Sequence, residues 1–164
     1  MKNLPKILES KTRIQYQDCD PFNHLNNSKY IDYIMGARTE QLLDQYDFNA
    51  SELAYKHGIG WVAAQTQISY FLPASWMETV TIESKLIHYS EYSLLVEAVM
   101  WDEHKANLKC VMWAKLVHFN IKAQKSEKHS GELLQLFEEI VNPLEQSCSF
   151  DERVQSFKNL KKMS

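Results

Sequence analysis

Residues 28–46, SKYIDYIMGARTEQLLDQY, carry apolar side chains at helical spacing, and the first half of the segment is apolar on most sides. Such a helix belongs in a core rather than on a surface. Four runs with the two-residue period of strands follow it, at 61–72, 78–89, 92–102 and 107–121. They are separated by PASWM, SE and EHKA, and the hairpin-length middle breaks predict adjacent antiparallel strands. In the third run Leu94, Val96, Ala98 and Met100 share a face. The fourth is apolar on both faces, with Val111, Trp113, Val117 and Phe119 against Met112, Ala114 and Leu116. That pattern predicts a central strand, or one buried in an interface.

One helix among several strands is buried most economically when the sheet wraps round it. Upstream, KTRIQYQ at 11–17 alternates as a strand, with Ile14 and Tyr16 on one face, after a loose lead-in at 1–10. Residues 47–60 read as a mixed connection with room for a short helix. Beyond the polar, lysine-rich 122–130, the stripe Leu133, Leu134, Phe137, Ile140 and Val141 predicts a helix that stops before Pro143. Ser149 and Glu152 form a capping-box signature, opening a short helix with Phe150, Val154 and Phe157 on its apolar side. The expectation is an α+β unit: a sheet of about five strands round a helix at about 27–46, occupying 11–122, with a helical extension at 123–164. The second sheet face and the sheet edge still need cover, which predicts a homodimer or homotetramer.

A chain of 164 residues is one domain on this reading. Its net charge of −3 offers no electrostatic footprint for nucleic acid or an anionic membrane. No stretch approaches the ~18 apolar residues of a membrane span. The opening MKNLPKILESK lacks the apolar core of a secretory signal. With Cys19, Cys110 and Cys148 far apart and no CxxC, this predicts a reducing, cytoplasmic setting and no structural zinc. G-x-S-x-G, G-x-G-x-x-G and Walker A patterns are all missing from the sequence.

The chemistry is concentrated in DCDPFNHLNN, residues 18–27, which joins the first strand to the start of the buried helix. Free N–H groups at a helix start can receive an oxyanion. A carboxylate a few residues upstream can then attack a carbonyl carbon or deprotonate a water. Each residue also has a plainer reading. Asp20 before Pro21 can be a turn residue. Asp18 can accept loop N–H bonds. His24 can act as a base or support the loop. Asn26 and Asn27 can cap the helix, and Tyr30 and Tyr33 can simply pack. Arg38, on a buried helix, calls for a carboxylate such as Asp18. A metal held by Asp18, Asp20 and His24 lacks any helical ligand spacing to support it. Cys19, between two Asp residues, is a weak nucleophile because negative charge raises its pKa.

The block DCDPFNHLNNSKYIDYIMGAR resembles the signature of hotdog-fold acyl-CoA thioesterases of the 4-hydroxybenzoyl-CoA thioesterase-like group, approximately D-x-D-x-x-G-H-x-N-N-x-x-Y-x-x-Y-x-x-x-A-R. Asp18, Asp20, His24, Asn26, Asn27, Tyr30, Tyr33, Ala37 and Arg38 match. Asn23 replaces the family's Gly, and Asn is the side chain that best tolerates positive φ. ISYFLPASWMETVTIES resembles the family's second strand, Pro-containing turn and third strand. The resemblance spans about 11–122. It implies a hotdog fold, an oligomer with sites at a subunit interface, and hydrolysis of thioesters of CoA or acyl carrier protein; no cofactor or metal is expected. By the same resemblance Asp20 is the catalytic carboxylate and the backbone N–H nearest Asn27 polarises the carbonyl. His24, Asn26 and Tyr30 are then expected at the substrate, with Asp18 and Arg38 as structural support. Lys85, Lys109, Lys115 and Lys122 are candidates for the CoA phosphates. The alternatives are a non-hydrolytic acyl-thioester-binding or assembly protein and, behind it, a hotdog dehydratase.

Overall fold

A computed structural model describes residues 3–163; of the lead-in, positions 1 and 2 lie outside the described residues. The elements run β1 (Leu8–Arg13), α1 (Tyr30–Tyr46), α2 (Ala50–His57), β2 (Ile59–Tyr70), β3 (Thr79–Tyr89), β4 (Ser93–Asp102), β5 (Leu108–Asn120), β6 (Lys125–Ser126), α3 (Gly131–Ile140) and α4 (Phe150–Met163). The sheet is antiparallel in the order β1-β3-β4-β5-β2, with the two-residue β6 paired to the end of β5. Extra residues at Ala64 and Ile87 interrupt the pairing registers. Bulges of this kind bend a strand and increase its twist, which suits a sheet that curls. The inner face receives α1, as expected of a hotdog fold. Tyr30, Ile34 and Ala37 pack there with Val80, Ile82, Val96, Ala98, Met100 and Met112.

β3-β4 and β4-β5 are hairpins, but β2 pairs with β5 rather than β3, so the PASWM break is a crossover. The predicted strand at 11–17 is shifted: β1 covers 8–13. Tyr16–Asp18 forms a 3-10 turn that leaves Tyr16 exposed, while Ile14 stays buried. The shift was hidden because two of the less exposed positions of β1 are the polar Ser10 and Thr12. Ser10 Oγ accepts from Gln41 Nε2 (2.8 Å), so a polar contact does there what alternation normally signals.

The outer sheet face is not left wholly to a partner. α4 lays Phe150 and Val154 on Ile87, Val99, Val111 and Trp113. Its capping box is reciprocal: Ser149 N–H donates to Glu152 Oε2 (3.1 Å) and Glu152 N–H to Ser149 Oγ (3.2 Å). The helix runs to Met163, well past the short segment expected. Arg153 fixes it, donating from Nε and Nη2 to the two carboxylate oxygens of buried Glu97, both at 2.7 Å. Trp113 Nε1 also donates to Glu97, at 2.8 Å, and Lys85 Nζ lies 3.7 Å from it. Together these cations and donors hold the Glu97 carboxyl below the usual carboxylate range even though burial pushes the other way.

Candidate active site

The loop between β1 and α1 is a small hairpin. Asp20 N–H donates to the His24 carbonyl (2.7 Å) and Asn26 N–H to the Asp18 carbonyl (2.9 Å), with Cys19 opposite Leu25. The turn depends on Asn23, whose φ is +61°. That is the left-handed conformation for which Asn is a serviceable substitute for Gly. Leu25 plugs the hairpin into the core, and its N–H donates to the Ala74 carbonyl (2.8 Å). Trp76 N–H donates to the Asn23 carbonyl (2.9 Å), so the β2-β3 crossover carries the loop.

Asp20 is half-buried. Its Oδ1 accepts from Phe22 N–H (2.8 Å) and His24 N–H (3.1 Å). Oδ2 has no partner among the described residues, so one oxygen holds the turn and the other is available. Asn26 Oδ1 accepts from Ser28 N–H (3.1 Å) and Ser28 Oγ (2.9 Å), capping a 3-10 turn at Asn27–Lys29 that leads into α1. Lys29 N–H is taken by the Asn26 carbonyl. Asn27 N–H, at the front of this turn, is the donor left without an intrahelical acceptor. The Asn27 carbonyl accepts from Tyr70 Oη at the end of β2 (3.0 Å). The His24 imidazole has no hydrogen bond among the described residues; only its main chain supports the loop.

Several expected partners differ. Asp18 meets neither Arg38 nor loop N–H groups through its side chain; its Oδ2 accepts from Tyr33 Oη (2.7 Å). The same phenol oxygen accepts Gln15 N–H (2.9 Å), and the Tyr33 pKa rises to about 12, through burial first and its carboxylate neighbour after. Tyr30, expected at the substrate, is 2% exposed, and its phenol oxygen accepts from Ala74 N–H (3.0 Å), locking the crossover to the helix. Arg38 is buried against β3 and donates from Nη1 to Ser84 Oγ (3.0 Å). Cys19 has a raised pKa, by burial first and by Asp18 and Asp20 second. Among the lysines, Lys109 is committed to Glu78 (2.7 Å) and Lys85 to Glu97. Lys115 and Lys122 are exposed and make no ion pair among the described residues.

The main apolar cavity, about 450 Å³, lies elsewhere. It sits between the second half of α1, the start of β2, the inner ends of β3–β5, and α2 and α3; Met35, Leu42, Trp61, Leu94, Leu116 and Phe137 are among its walls. None of Asp18, Asp20, His24, Asn26, Asn27 or Tyr30 lines it. Polar loop and apolar cavity are therefore separate features at opposite ends of one helix. Tyr70 and the cavity were missed from the sequence, because both are assembled from segments far apart in the chain. Among the described residues, no group of three His, Cys, Asp or Glu side chains is placed to hold a metal ion, and no helix is long and apolar enough to cross a membrane.

A sequence profile of the Thioesterase-like superfamily matches residues 14–156. The long-chain acyl-CoA thioesterase FadM of Escherichia coli strain K12 is 24% identical over 134 residues, 82% of this chain and 99% of its own. Two solved structures share the fold. The hypothetical protein SAV2348 from Staphylococcus aureus, in complex with CoA, superposes with a TM-score of 0.75 at 11% identity, covering 90% of this chain and 92% of that one. Slr0204, a 1,4-dihydroxy-2-naphthoyl-CoA thioesterase from Synechocystis, does so with a TM-score of 0.72 at 11% identity, covering 82% and 95%.

Proposed function

The chain belongs to the thioesterase-like superfamily, and from that premise we propose that it hydrolyses acyl thioesters of coenzyme A, with Asp20 as general base or nucleophile and Asn27 N–H as the donor to the carbonyl oxygen. One observation carries the assignment. Among the described residues, Asp20 has Oδ1 tied to two backbone N–H groups while Oδ2 is unpaired, and the same hairpin ends at an unpaired helix-start N–H. A thioester carbonyl resting on Asn27 N–H is polarised there, because the donor is fixed before reaction. Oδ2 then either adds to the carbonyl carbon, expelling CoA thiolate and leaving an anhydride for water to open, or takes a proton from the attacking water. The unbonded His24 imidazole is free to contact the substrate.

The apolar cavity suits an aliphatic acyl group. FadM, the relative named above, acts on long-chain acyl-CoA, and the same class is proposed here. Lys115 and Lys122 are the uncommitted candidates for the CoA phosphates. A non-hydrolytic reading would rest on Asn23 in place of the family's Gly and on the C-terminal helices. Asn23 keeps the turn, and α4 packs on the outer sheet face.

A homodimer is part of the proposal. Among the described residues β2 pairs only with β5, and Val62–Gln67 are exposed along its length. A free edge of twelve residues invites pairing with a second copy. Tyr70, at the end of that edge, touches Asn27, so a docked copy would adjoin the loop.

The test is thiol release from a panel of saturated, unsaturated and aromatic acyl-CoAs. Turnover of aliphatic members, lost in Asp20→Asn, is expected. No release from any member would end the hydrolase reading.

A further inference from the structure

We propose that Arg38 is a specificity residue that receives a carboxylate at the end of an aliphatic chain lodged in the α1 cavity. The proposal deepens the thioesterase reading and rests on it for the position of the reacting carbonyl. Arg38 is 6% exposed. Its one hydrogen bond among the described residues is to the neutral Ser84 hydroxyl, whose own proton goes to Gln41 Oε1 (2.6 Å). Asp18, the carboxylate that the sequence offered as a partner, is held by Tyr33. The ionisable group acting on Arg38 is the Tyr46 phenol, which is itself half-buried, neutral and donating to the Pro5 carbonyl. Burial lowers the Arg38 pKa only to about 10, so the side chain remains a cation at neutral pH.

A buried cation with no counter-charge is costly, and guanidinium is shaped to take a carboxylate in a two-pronged bond. Arg38 lines a cavity whose other walls include Met35, Leu42, Leu94, Leu116 and Phe137. An apolar chamber with one cation in its wall is complementary to an aliphatic chain ending in an anion. The position fits the reaction. Arg38 lies eleven residues beyond Asn27, ~16 Å along the helix at ~1.5 Å per residue. A medium-length acyl chain spans that distance. The carboxylate has two sources: the far end of a dicarboxylic acyl thioester, or a released fatty acid that enters carboxylate first.

Wild-type kcat/KM is to be compared for dodecanedioyl-CoA, ω-hydroxydodecanoyl-CoA and dodecanoyl-CoA, and inhibition compared for dodecanoate and its methyl ester. A preference of about tenfold or more for the carboxyl-tipped thioester supports the first source. Inhibition by dodecanoate about tenfold stronger than by the methyl ester supports the second. Either ratio should collapse in Arg38→Met and be partly kept in Arg38→Lys, whereas a purely structural role would move all substrates together. Hydrolysis of dodecanoyl-CoA with neither preference would overturn the proposal and leave the thioesterase reading intact. If no thioester is cleaved, that reading fails instead. Quenching of Trp61 fluorescence in the cavity wall by dodecanedioate, set against its dimethyl ester, then decides the Arg38 site. Carboxylate-dependent quenching supports it, and equal response to acid and ester overturns it. Should Arg38→Met not fold, the wild-type comparisons decide alone.

Discussion

Asp20 uses its carboxylate unevenly: one oxygen closes the loop, and the other has no partner among the described residues. Asp20→Asn keeps an oxygen for the two N–H groups but removes the negative charge. It is therefore expected to lower kcat by roughly 10²–10⁴-fold with a smaller change in KM. Steady-state kinetics on the best acyl-CoA of the panel checks this; an Asn variant near wild-type activity with a dead His24→Ala would transfer the base role to His24. Asp18 is different in kind, since its side chain serves Tyr33. Tyr33→Phe removes the donor to Asp18 and the acceptor for Gln15 N–H together. A stability loss of about 1–3 kcal/mol is expected, read as a lower denaturation midpoint. The motif order showed Asp20, Asn23 and the Asn26 cap; it could not show that Tyr33 rather than Arg38 meets Asp18. The pairing depends on where β1 ends, and a polar edge strand hides that end.

The C-terminal helices are anchored by titratable groups, so their hold on the sheet depends on pH. His129, just before α3, donates its Nδ1–H to the Ser90 carbonyl (3.0 Å) and accepts Trp61 Nε1–H at Nε2 (3.0 Å). The second bond requires an unprotonated Nε2. Burial lowers the His129 pKa below its ordinary 6.5, with smaller contributions from the Ser90 carbonyl, which raises it, and from the adjacent His118, which lowers it. A group whose pKa is lower folded than unfolded contributes stability in full above the unfolded value. For His129 that contribution is lost as pH falls from about 6.5 toward the folded pKa. Glu97 follows the same sign further into acid, below its ordinary 4.5. Melting temperature against pH is expected to fall in these two steps. His129→Gln, which keeps an acceptor without titrating, should flatten the first step; an unchanged slope would remove His129 from the account. Arg153→Met leaves Glu97 buried with Lys85 as its remaining cation. A cost of about 3–5 kcal/mol is expected from stranding such a charge, measured by chemical denaturation. The capping box announced α4, but nothing local announced Glu97, which lies 56 residues from Arg153.

The sheet closes over α1 on one side and under α4 on part of the other, leaving β2 as its long free edge. If that edge joins two copies, sedimentation at micromolar concentration should show a species of twice 19.2 kDa. Ala64→Lys with Thr66→Lys should drive it to the single-chain mass, because like charges brought opposite one another destabilise strand pairing. Wild-type protein sedimenting only at 19.2 kDa would remove the edge-paired dimer. Thioester turnover that declines on dilution, in parallel with dimer loss, would further place the second copy at the site.

Periodicity was enough to recognise the buried helix and the four strands after it, because each rests on neighbours a few positions apart. Dipeptide chemistry and the cap residues likewise marked out the hairpin loop between β1 and α1 and its turn at Asn23. Strand order, the crossover that carries that loop, the free edge and the apolar cavity emerge only when distant segments meet. So does the situation of Arg38. Its spacing marks it as buried, and a buried cation ordinarily implies a carboxylate. Whether one is present depends on side chains from β3 and the β1-α1 loop, and in the folded chain the neighbour is Ser84. Local propensity is a property of a few consecutive residues; charge compensation in a core is a property of everything within reach of the charge.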